Sequence, residues 1–235
     1  MDDNHSPQDS DPVQAHRDRL VKEIVREALE TAFWTGRDKF APKVLDAIAR
    51  VPRHAFVPEV LPLELAYANR PLPIGFGQTI SQPYIVALMS DLLDLEGTER
   101  VLEIGTGCGY QSAVLAELGT QVYSVERIGE LAAMANATLA ELGYTNVRIT
   151  EGDGAIGWAE HAPYDAILVT ACAESSIPEA LIEQLAPGGR MIIPVGPRCG
   201  PQMLHLGLKD DTGRFTHQPV LAVAFVPLVT RLERS

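Results

Sequence analysis

The sequence predicts an α/β fold with a mostly parallel sheet, preceded by helices and closed by an antiparallel hairpin. Three observations lead to this prediction. From residue 100 onward, short apolar runs alternate with helical patterns, as expected for parallel strands joined by crossover helices. The first apolar run closes on a glycine-rich turn, LEIGTGCGY (102–110). Near the C-terminus two β-rich runs follow one another with no helical pattern between them, which is typical of a hairpin.

The alternating region begins with a helical pattern over residues 84–93. Strands are predicted over residues 100–105, 121–126, 147–150, 164–171 and 190–196. Helices are predicted over residues 110–119, 130–143 and 177–189, each closing on glycine, which commonly ends a helix. The hairpin is predicted within residues 202–229, where Asp-Asp-Thr-Gly (210–213) separates the two strands.

The chain ahead of the sheet divides into a tail, two helices and a long connection. Residues 1–12 are polar and rich in Asp, so a disordered acidic tail is predicted. Apolar residues at helical spacing predict one helix over residues 14–34 and a second over about 42–50. Residues 53–82 carry four prolines and are predicted to form an irregular connection, which in compact domains is usually functional.

These elements predict one compact domain in three parts. The parts are a disordered tail (1–12), N-terminal helices with an active-site loop (13–98), and a ligand-binding α/β core (99–235).

Composition limits the partners and the compartment. The formal charge of −12 and the pI of about 4.9 disfavour binding to nucleic acid or to anionic lipid. No apolar run is long enough to span a membrane, and residues 1–12 lack the apolar core of a secretory signal. Three widely spaced cysteines, without a CxxC or HExxH pattern, predict reduced thiols, no metal site and a cytoplasmic protein.

The glycine turn lies where open α/β sheets bind ligands, between a strand and the start of a helix. Gly105, Gly107 and Gly109 let the backbone turn sharply and let a ligand approach without a Cβ in the way. Their spacing is G-x-G-x-G, whereas the dinucleotide fingerprint is G-x-G-x-x-G and has glycine where this chain has Tyr110. No Lys-Ser/Thr pair follows, which excludes a phosphate-binding P-loop.

Two acidic residues follow the next two predicted strands. Glu126 can accept hydrogen bonds from both hydroxyls of a ribose, and Asp153, between two glycines, can accept one from an adenine amino group. A glycine turn and two acids without a phosphate grip indicate a nucleoside cofactor that lacks phosphate, such as S-adenosylmethionine. Each acid also has a simpler interpretation: Glu126 as a solvated strand end or helix cap, and Asp153 as the start of the next helix.

Several segments together resemble the protein-L-isoaspartate O-methyltransferase family. They are PLPIGFGQTISQP (71–83), VLEIGTGCGYQSAVLAEL (101–118), YSVER (123–127), GDG (152–154), YDAILVTA (164–171), LAPGGRMIIPVG (185–196) and FVPLV (225–229). The resemblance runs from about Val21 to Val229. It implies a Rossmann-like class I methyltransferase sheet of seven strands, mostly parallel, whose last pair is the C-terminal antiparallel hairpin.

The resemblance also implies an activity. A methyl group passes from S-adenosyl-L-methionine, leaving S-adenosyl-L-homocysteine, to the free carboxylate of L-isoaspartyl residues, and also of D-aspartyl residues. The implied partners are damaged proteins and peptides, whose repair this methylation initiates.

The resemblance assigns roles to individual positions. Ser81, in GQTIS, is implied as the catalytic residue, and Gln78, Thr79 and Ile80 as a cover over the cofactor. The implied cofactor contacts in the core are Glu103, Gly105, Gly107, Gly109, Glu126, Asp153 and Gly154. The isoaspartyl peptide is expected against Ile80, Ser81, Pro194, Val195 and Gly196.

Two of these assignments compete with structural interpretations. Ser81 also fits as the N-cap of the helix that begins near Pro83, and residues 194–196 also fit as the end of a buried strand. Ser81 is not expected to be a nucleophile, because a carboxylate acceptor with a pKa of about 4 is already ionised at neutral pH. The loop around Ser81 is expected to close over the strand ends and exclude water.

Three other functions fit part of the sequence. A class I methyltransferase with another acceptor shares the glycine turn, but the GQTIS loop argues against it. A nicotinamide-dependent oxidoreductase shares the sheet, but Tyr110 and the C-terminal hairpin argue against it. A binding module without activity is compatible with the motifs.

Overall fold

The computed structural model describes residues 12–198 and 200–228. Its helices are α1 (Pro12–Thr35), α2 (Pro42–Arg50), α3 (Leu63–Ala66), α4 (Pro83–Leu92), α5 (Tyr110–Glu117), α6 (Gly129–Glu141) and α7 (Glu179–Gln184). Its strands are β1 (Leu72–Gly75), β2 (Gln78–Ile80), β3 (Arg100–Ile104), β4 (Gln121–Glu126), β5 (Val147–Glu151), β6 (Tyr164–Val169), β7 (Leu185–Val195), β8 (Gln202–Lys209) and β9 (Phe215–Val223). The predicted disordered tail lies outside the described residues except for Pro12, which begins α1. Within the described ranges, no helix is long and apolar enough to cross a membrane.

Strands β3 to β9 form one seven-stranded sheet in the order β5-β4-β3-β6-β7-β8-β9. Neighbours from β5 to β7 are parallel, whereas β8 pairs antiparallel with both β7 and β9. The predicted mostly parallel sheet with a C-terminal hairpin is therefore confirmed. Because β4 and β6 flank β3 on opposite sides, the carboxyl ends of these three strands border the crevice where open α/β sheets bind ligands.

Both faces of the sheet are covered by hydrophobic cores. In β3, Val101 packs into the core that also contains Leu20 and Ile24 of α1, whereas Leu102 and Ile104 pack into the core on the other face. A strand that is buried on both faces needs apolar residues on both sides, which explains the apolar run of β3.

The N-terminal helices are confirmed and hold the start of α4. Glu27 of α1 accepts hydrogen bonds at Oε2 from Asn69 Nδ2 at 2.8 Å and from Gln82 Nε2 at 2.9 Å. The side-chain oxygen of Asn69 in turn accepts from the backbone N–H of Tyr84 at 2.9 Å. Helix α1 therefore fixes the point at which the predicted active-site loop runs into α4.

The predicted irregular connection contains regular structure. Residues 53–56 form a 3₁₀ turn, α3 follows, and β1 and β2 pair antiparallel; we call β1, β2 and their turn the N-terminal hairpin. The turn residues Phe76 and Gly77 have φ of 53° and 69°, as a two-residue type I′ hairpin turn requires. This turn could not be predicted from its residue types, because Phe rarely adopts a positive φ.

The predicted helix over residues 177–189 is wrong at its C-terminal end. Helix α7 stops at Gln184, and β7 begins at Leu185, before the Pro-Gly-Gly segment. The register between β6 and β7 shifts between Tyr164 and Ala166. Because Pro187 has no N–H and Gly188 has a φ of 78°, these residues form an irregularity within the strand rather than a helix stop.

Candidate functional site

A cavity of about 200 Å³ opens at the carboxyl ends of β3, β4 and β6; we call it the first cavity. The N-terminal hairpin and the residue after it contribute one wall, and the glycine turn contributes another. Its lining residues include Gln78, Thr79, Ile80, Ser81, Gly105, Thr106, Gly107, Cys108, Tyr110, Gln111, Val125, Glu126, Arg127, Ile128, Gly154, Thr170, Val226 and Leu228. The sequence-predicted loop and turn therefore meet around one space.

The glycine turn needs its outer glycines for close packing. Gly105 has a φ of 90°, and a Cβ there would lie 2.4 Å from Thr170 Oγ1. That hydroxyl donates to the carbonyl oxygen of Ile104 at 3.0 Å. Gly109 has a φ of 92°, and a Cβ there would lie 3.2 Å from the Cβ of Ala135 in α6. Gly109 does not line the first cavity, so it positions the turn against α6 rather than facing a ligand.

Glu126 lines the first cavity and holds the glycine turn. Its Oε2 accepts from the backbone N–H of Gly107 at 2.8 Å, and its Oε1 accepts from that of Ile128 at 2.9 Å. Glu126 is buried. A carboxylate has about four lone-pair sites in all, so each oxygen can accept a further hydrogen bond from a ligand hydroxyl.

Asp153 begins a 3₁₀ turn, as its simpler interpretation predicts. Its Oδ1 accepts from the backbone N–H of Ala155 at 3.1 Å, and the turn covers Gly154–Ile156. Asp153 is not among the residues that line the first cavity, but the adjacent Gly154 is. The structure thus brings the GDG segment to the cavity through Gly154.

Glu103 lies behind the glycine turn rather than at the cavity. Its side chain is fully buried, and Oε2 accepts from the hydroxyls of Ser112 and, at 2.6 Å, Ser124. Burial raises the pKa of Glu103 to about 7, while the two hydroxyl donors lower it and the charge of Glu126 raises it. Ser124 shares a 2.6 Å hydrogen bond with Thr106, which does line the cavity, so Glu103 reaches the site through two hydroxyls.

Ser81 follows β2, at the boundary between two cavities. The second cavity, of about 460 Å³, shares Thr79, Ser81, Thr170 and Val226 with the first. Its other lining residues are Pro71, Gln82, Ile85, Ala222, Val223, Ala224 and Phe225. The predicted N-cap role of Ser81 is wrong, because α4 begins at Pro83 and its N-cap position is Gln82.

The strand end at residues 194–196 holds the segment that follows β6. The backbone N–H of Ala173 donates to the Pro194 carbonyl at 2.9 Å, and that of Gly196 donates to the Ala173 carbonyl at 3.0 Å. None of Pro194, Val195 and Gly196 lines either cavity. Their polar backbone groups thus hold the segment after β6, as the structural interpretation predicts.

Sequence reasoning missed two parts of the site. Thr170 lines both cavities, and residues 222–226 form a wall of the second one. Thr170 and residues 225–226 lie in segments that carry the family resemblance. The sequence does not indicate that they line a cavity, because an apolar run at the end of a predicted strand is expected in any hairpin.

The charges at the site suit a ligand with little net negative charge. Among the lining residues of the first cavity, Glu126 and Arg127 are charged. Across the described part of the chain, no group of three or more His, Cys, Asp or Glu side chains is arranged to hold a metal ion.

Comparison with known proteins gives one consistent result. The family model for Protein-L-isoaspartate(D-aspartate) O-methyltransferase matches residues 29–233. Protein-L-isoaspartate O-methyltransferase 2 of Syntrophobacter fumaroxidans is 54% identical over 218 residues, covering 93% of this chain and 87% of that protein. Protein-L-isoaspartate O-methyltransferase of Dictyoglomus thermophilum is 55% identical over 218 residues, covering 92% and 93%.

The fold agrees with that of a solved relative. A structure of a protein-L-isoaspartate O-methyltransferase matches with a TM-score of 0.80 and 29% sequence identity. The match covers 92% of this chain and 67% of that chain.

Proposed function

Because this chain belongs to the protein-L-isoaspartate(D-aspartate) O-methyltransferase family, we propose that its two adjoining cavities hold the methyl donor and the acceptor. The enzyme transfers a methyl group from S-adenosyl-L-methionine to the free carboxylate of L-isoaspartyl residues in damaged proteins, which initiates their repair. The first cavity would hold the methyl donor, and the second the isoaspartyl segment of the substrate. The chemistry of each wall supports this assignment.

The residues of the first cavity fit a phosphate-free nucleoside. The remaining lone pairs of Glu126 can accept the ribose hydroxyls, and the backbone at Gly105 and Gly107 leaves room for close approach. Gly154 faces the cavity where the adenine is expected, while Asp153 holds the turn that carries it. Glu103 and Gly109 act from behind, by fixing the turn rather than by touching the ligand.

The N-terminal hairpin covers the first cavity. Ile80 is buried, and together with Gln78 and Thr79 it lines the cavity on that side, where these residues would separate the methyl donor from solvent. S-adenosyl-L-methionine supplies a methyl group bound to a positively charged sulfur. Because the charges of the sulfonium and of the acceptor carboxylate both disappear on transfer, walls that exclude water favour the reaction.

The second cavity fits an extended peptide that carries a carboxylate. Residues 222–226 and Ile85 give it apolar walls, and Ser81, Gln82 and Thr170 are polar residues of its lining. The acceptor carboxylate needs no base, because its pKa of about 4 leaves it ionised at neutral pH. The hydroxyl of Ser81 can donate a hydrogen bond that orients one carboxylate oxygen while the other faces the methyl group.

The position of Ser81 is the single observation that carries this assignment. Ser81 lines both cavities, and in-line transfer requires donor and acceptor to meet at one point. The expected substrate contact at residues 194–196 is replaced in this proposal by contact at residues 222–226. We further propose a cytoplasmic location without nucleic-acid or membrane partners, supported by the free thiols of Cys108 and Cys172 and the acidic composition.

The test uses methyl-labelled S-adenosylmethionine and two peptides of one sequence, one with isoaspartate and one with normal aspartate. We expect label only in the isoaspartyl peptide, and its release as methanol by mild base. Label in neither peptide, together with binding of S-adenosylhomocysteine, would support the donor site and indicate that the enzyme methylates another acceptor. Label in both peptides would contradict the proposed recognition of the isoaspartyl backbone.

A further inference from the structure

Arg53 is fully buried, and its guanidinium binds backbone carbonyls rather than a carboxylate. Nε donates to the Ala66 carbonyl at 3.0 Å, and Nη2 donates to the carbonyls of Arg70 at 3.2 Å and of Ser81 at 2.9 Å. Nη1 makes no hydrogen bond within the described residues. Burial lowers the pKa of the guanidinium. Because a buried charge without partners is costly, the hydrogen bonds to these carbonyls stabilise the guanidinium in its buried position.

The same guanidinium lies over the ring of a residue that lines the first cavity. Its Cζ lies 4.7 Å from the centroid of the Tyr110 ring, a distance at which a cation is attracted to the ring face. Tyr110 is the first residue of α5, directly after the glycine turn, and it lines the first cavity. Arg53 thus contacts both sides of the site: the loop that carries Ser81 and the helix that follows the glycine turn.

We propose that Arg53 is a positioning residue that sets the place of Ser81 relative to the glycine turn. This inference rests on the proposed function, because it concerns where donor and acceptor meet. Arg53 itself lines neither cavity, so it acts through Ser81 and Tyr110. Its grip on the carbonyls of Ala66, Arg70 and Ser81 fixes both ends of the N-terminal hairpin, whose strands lie between Arg70 and Ser81.

The arrangement requires arginine. The guanidinium is planar and presents several N–H donors in a fixed fork, so it can stack on a ring while it donates to separate acceptors. A lysine ammonium is a compact charge on a flexible stem. It cannot donate to all three carbonyls and also present a flat face to Tyr110.

Arg53→Lys is therefore the decisive variant. We expect kcat/KM for an isoaspartyl peptide to fall roughly 10- to 100-fold, the loss expected for hydrogen bonds that involve a charged group. The loss should fall mainly on kcat, because misplacing Ser81 disturbs alignment more than binding. The Kd for S-adenosylhomocysteine, measured by calorimetry, should change far less. Amides of residues 78–81 should exchange hydrogen faster than in the wild type, while those of β3 should not.

Arg100→Lys is the matched control. Arg100 also lies over a tyrosine, 5.3 Å from the Tyr123 ring centroid, and donates to the carbonyl of His161. It stands at the amino end of β3, opposite the cavities. Loss of the same kinds of contact there should leave kcat/KM and the exchange of residues 78–81 unchanged.

Wild-type values for Arg53→Lys in kcat/KM and in exchange of residues 78–81 would overturn the proposal. So would equal losses in Arg100→Lys. If Arg53→Lys does not fold, the isotope-labelled wild type decides: the Nε–H of Arg53 should exchange slowly and in step with the amides of residues 78–81. Fast exchange of that N–H beside protected amides would contradict the proposal. If instead the wild type fails to methylate the isoaspartyl peptide, the proposed function fails, and hydrogen exchange still tests the Arg53 contacts.

Discussion

The backbone N–H of Gly107 donates to the carboxylate of Glu126 at 2.8 Å, so the end of β4 holds the turn that follows β3. The two segments lie side by side in the sheet, since Ile104 pairs with Val125. Glu126 therefore has two tasks: it shapes the glycine turn, and it presents its remaining lone pairs to the first cavity. A substitution of Glu126 should therefore weaken cofactor binding more than it weakens binding of the acceptor.

For Glu126→Gln we expect weaker binding of S-adenosylhomocysteine by roughly 10- to 100-fold, because hydrogen bonds to a charged group contribute about 1.5–3 kcal/mol. The amide NH2 group of Gln is a donor, so it cannot accept from the backbone N–H of Gly107 or of Ile128 that it would face. One of these two hydrogen bonds is therefore also lost. Calorimetric titration gives the Kd directly. Glu151→Gln is the control. Glu151 is exposed and is the register partner of Glu126 on the neighbouring strand β5. Equal affinities of Glu126→Gln and Glu151→Gln for S-adenosylhomocysteine would show that Glu126 does not contribute to cofactor binding.

Ser81→Ala should lower activity without lowering stability. We expect kcat/KM for the isoaspartyl peptide to fall by about tenfold or more, since the acceptor loses a hydrogen bond to its carboxylate. The Kd for S-adenosylhomocysteine should stay close to that of the wild type. Because Gln82 and not Ser81 occupies the N-cap of α4, the free energy of unfolding should change by less than the ~1 kcal/mol typical of a lost cap.

Thr98→Ala is the control for this variant, because it removes an exposed hydroxyl at the amino end of β3. It should change neither activity nor binding. A loss of stability in Ser81→Ala, together with unchanged kcat/KM, would show that Ser81 serves the fold alone.

Periodicity and position predicted much of this molecule. The row of Leu20, Ile24 and Ala28 predicted α1, because one buried face of a helix repeats every three to four residues. The strand–glycine–helix order around Gly105 predicted where a ligand binds, because parallel strands bring their carboxyl ends to one edge of the sheet.

Other features could not be predicted because they depend on contacts between distant segments. Ser81 meets residues 222–226 only after the last strand joins the sheet. Arg53 resembles a surface charge in the sequence, and its burial depends on three carbonyls that the fold brings together. The end of α7 was missed because Pro187 and Gly188, usual signals for a helix stop, here belong to an irregular strand.

Phe76→Asn should stabilise the protein. Phe76 is about half exposed and has a φ of 53°, a conformation that is unfavourable for a bulky residue and well tolerated by Asn. With Gly77 it would form Asn-Gly, the preferred pair for a type I′ turn. We expect the free energy of unfolding, measured with denaturant, to rise by roughly 1 kcal/mol. Phe76→Ala removes the same ring without introducing a residue that tolerates a positive φ, so the variant with Asn should be the more stable of the two. The opposite order would mean that the turn conformation is not strained by Phe.

The last prediction concerns the buried carboxyl of Glu103. Burial raises its pKa from 4.5 to about 7, against two hydroxyl donors that lower it. The native protein therefore holds this proton more tightly than the unfolded chain does. The stability that Glu103 contributes is full below the unfolded pKa of 4.5 and is lost as the pH rises through about 7. Over that window the loss amounts to about 3 kcal/mol, at roughly 1.4 kcal/mol per unit of pKa.

Glu103→Gln isolates this effect, because a neutral amide replaces a carboxyl that is neutral below the window and charged above it. Denaturant unfolding at pH values below and above the window gives the stability of wild type relative to Glu103→Gln. We expect wild type to lose stability relative to this variant as the pH rises. Ser112→Ala removes a donor that lowers the pKa of Glu103. The pKa should therefore rise further, and the loss of stability should occur at higher pH. If the stabilities of wild type and Glu103→Gln run parallel across the window, Glu103 is not the titrating group, and the hydroxyls of Ser112 and Ser124 hold an ionised carboxylate throughout.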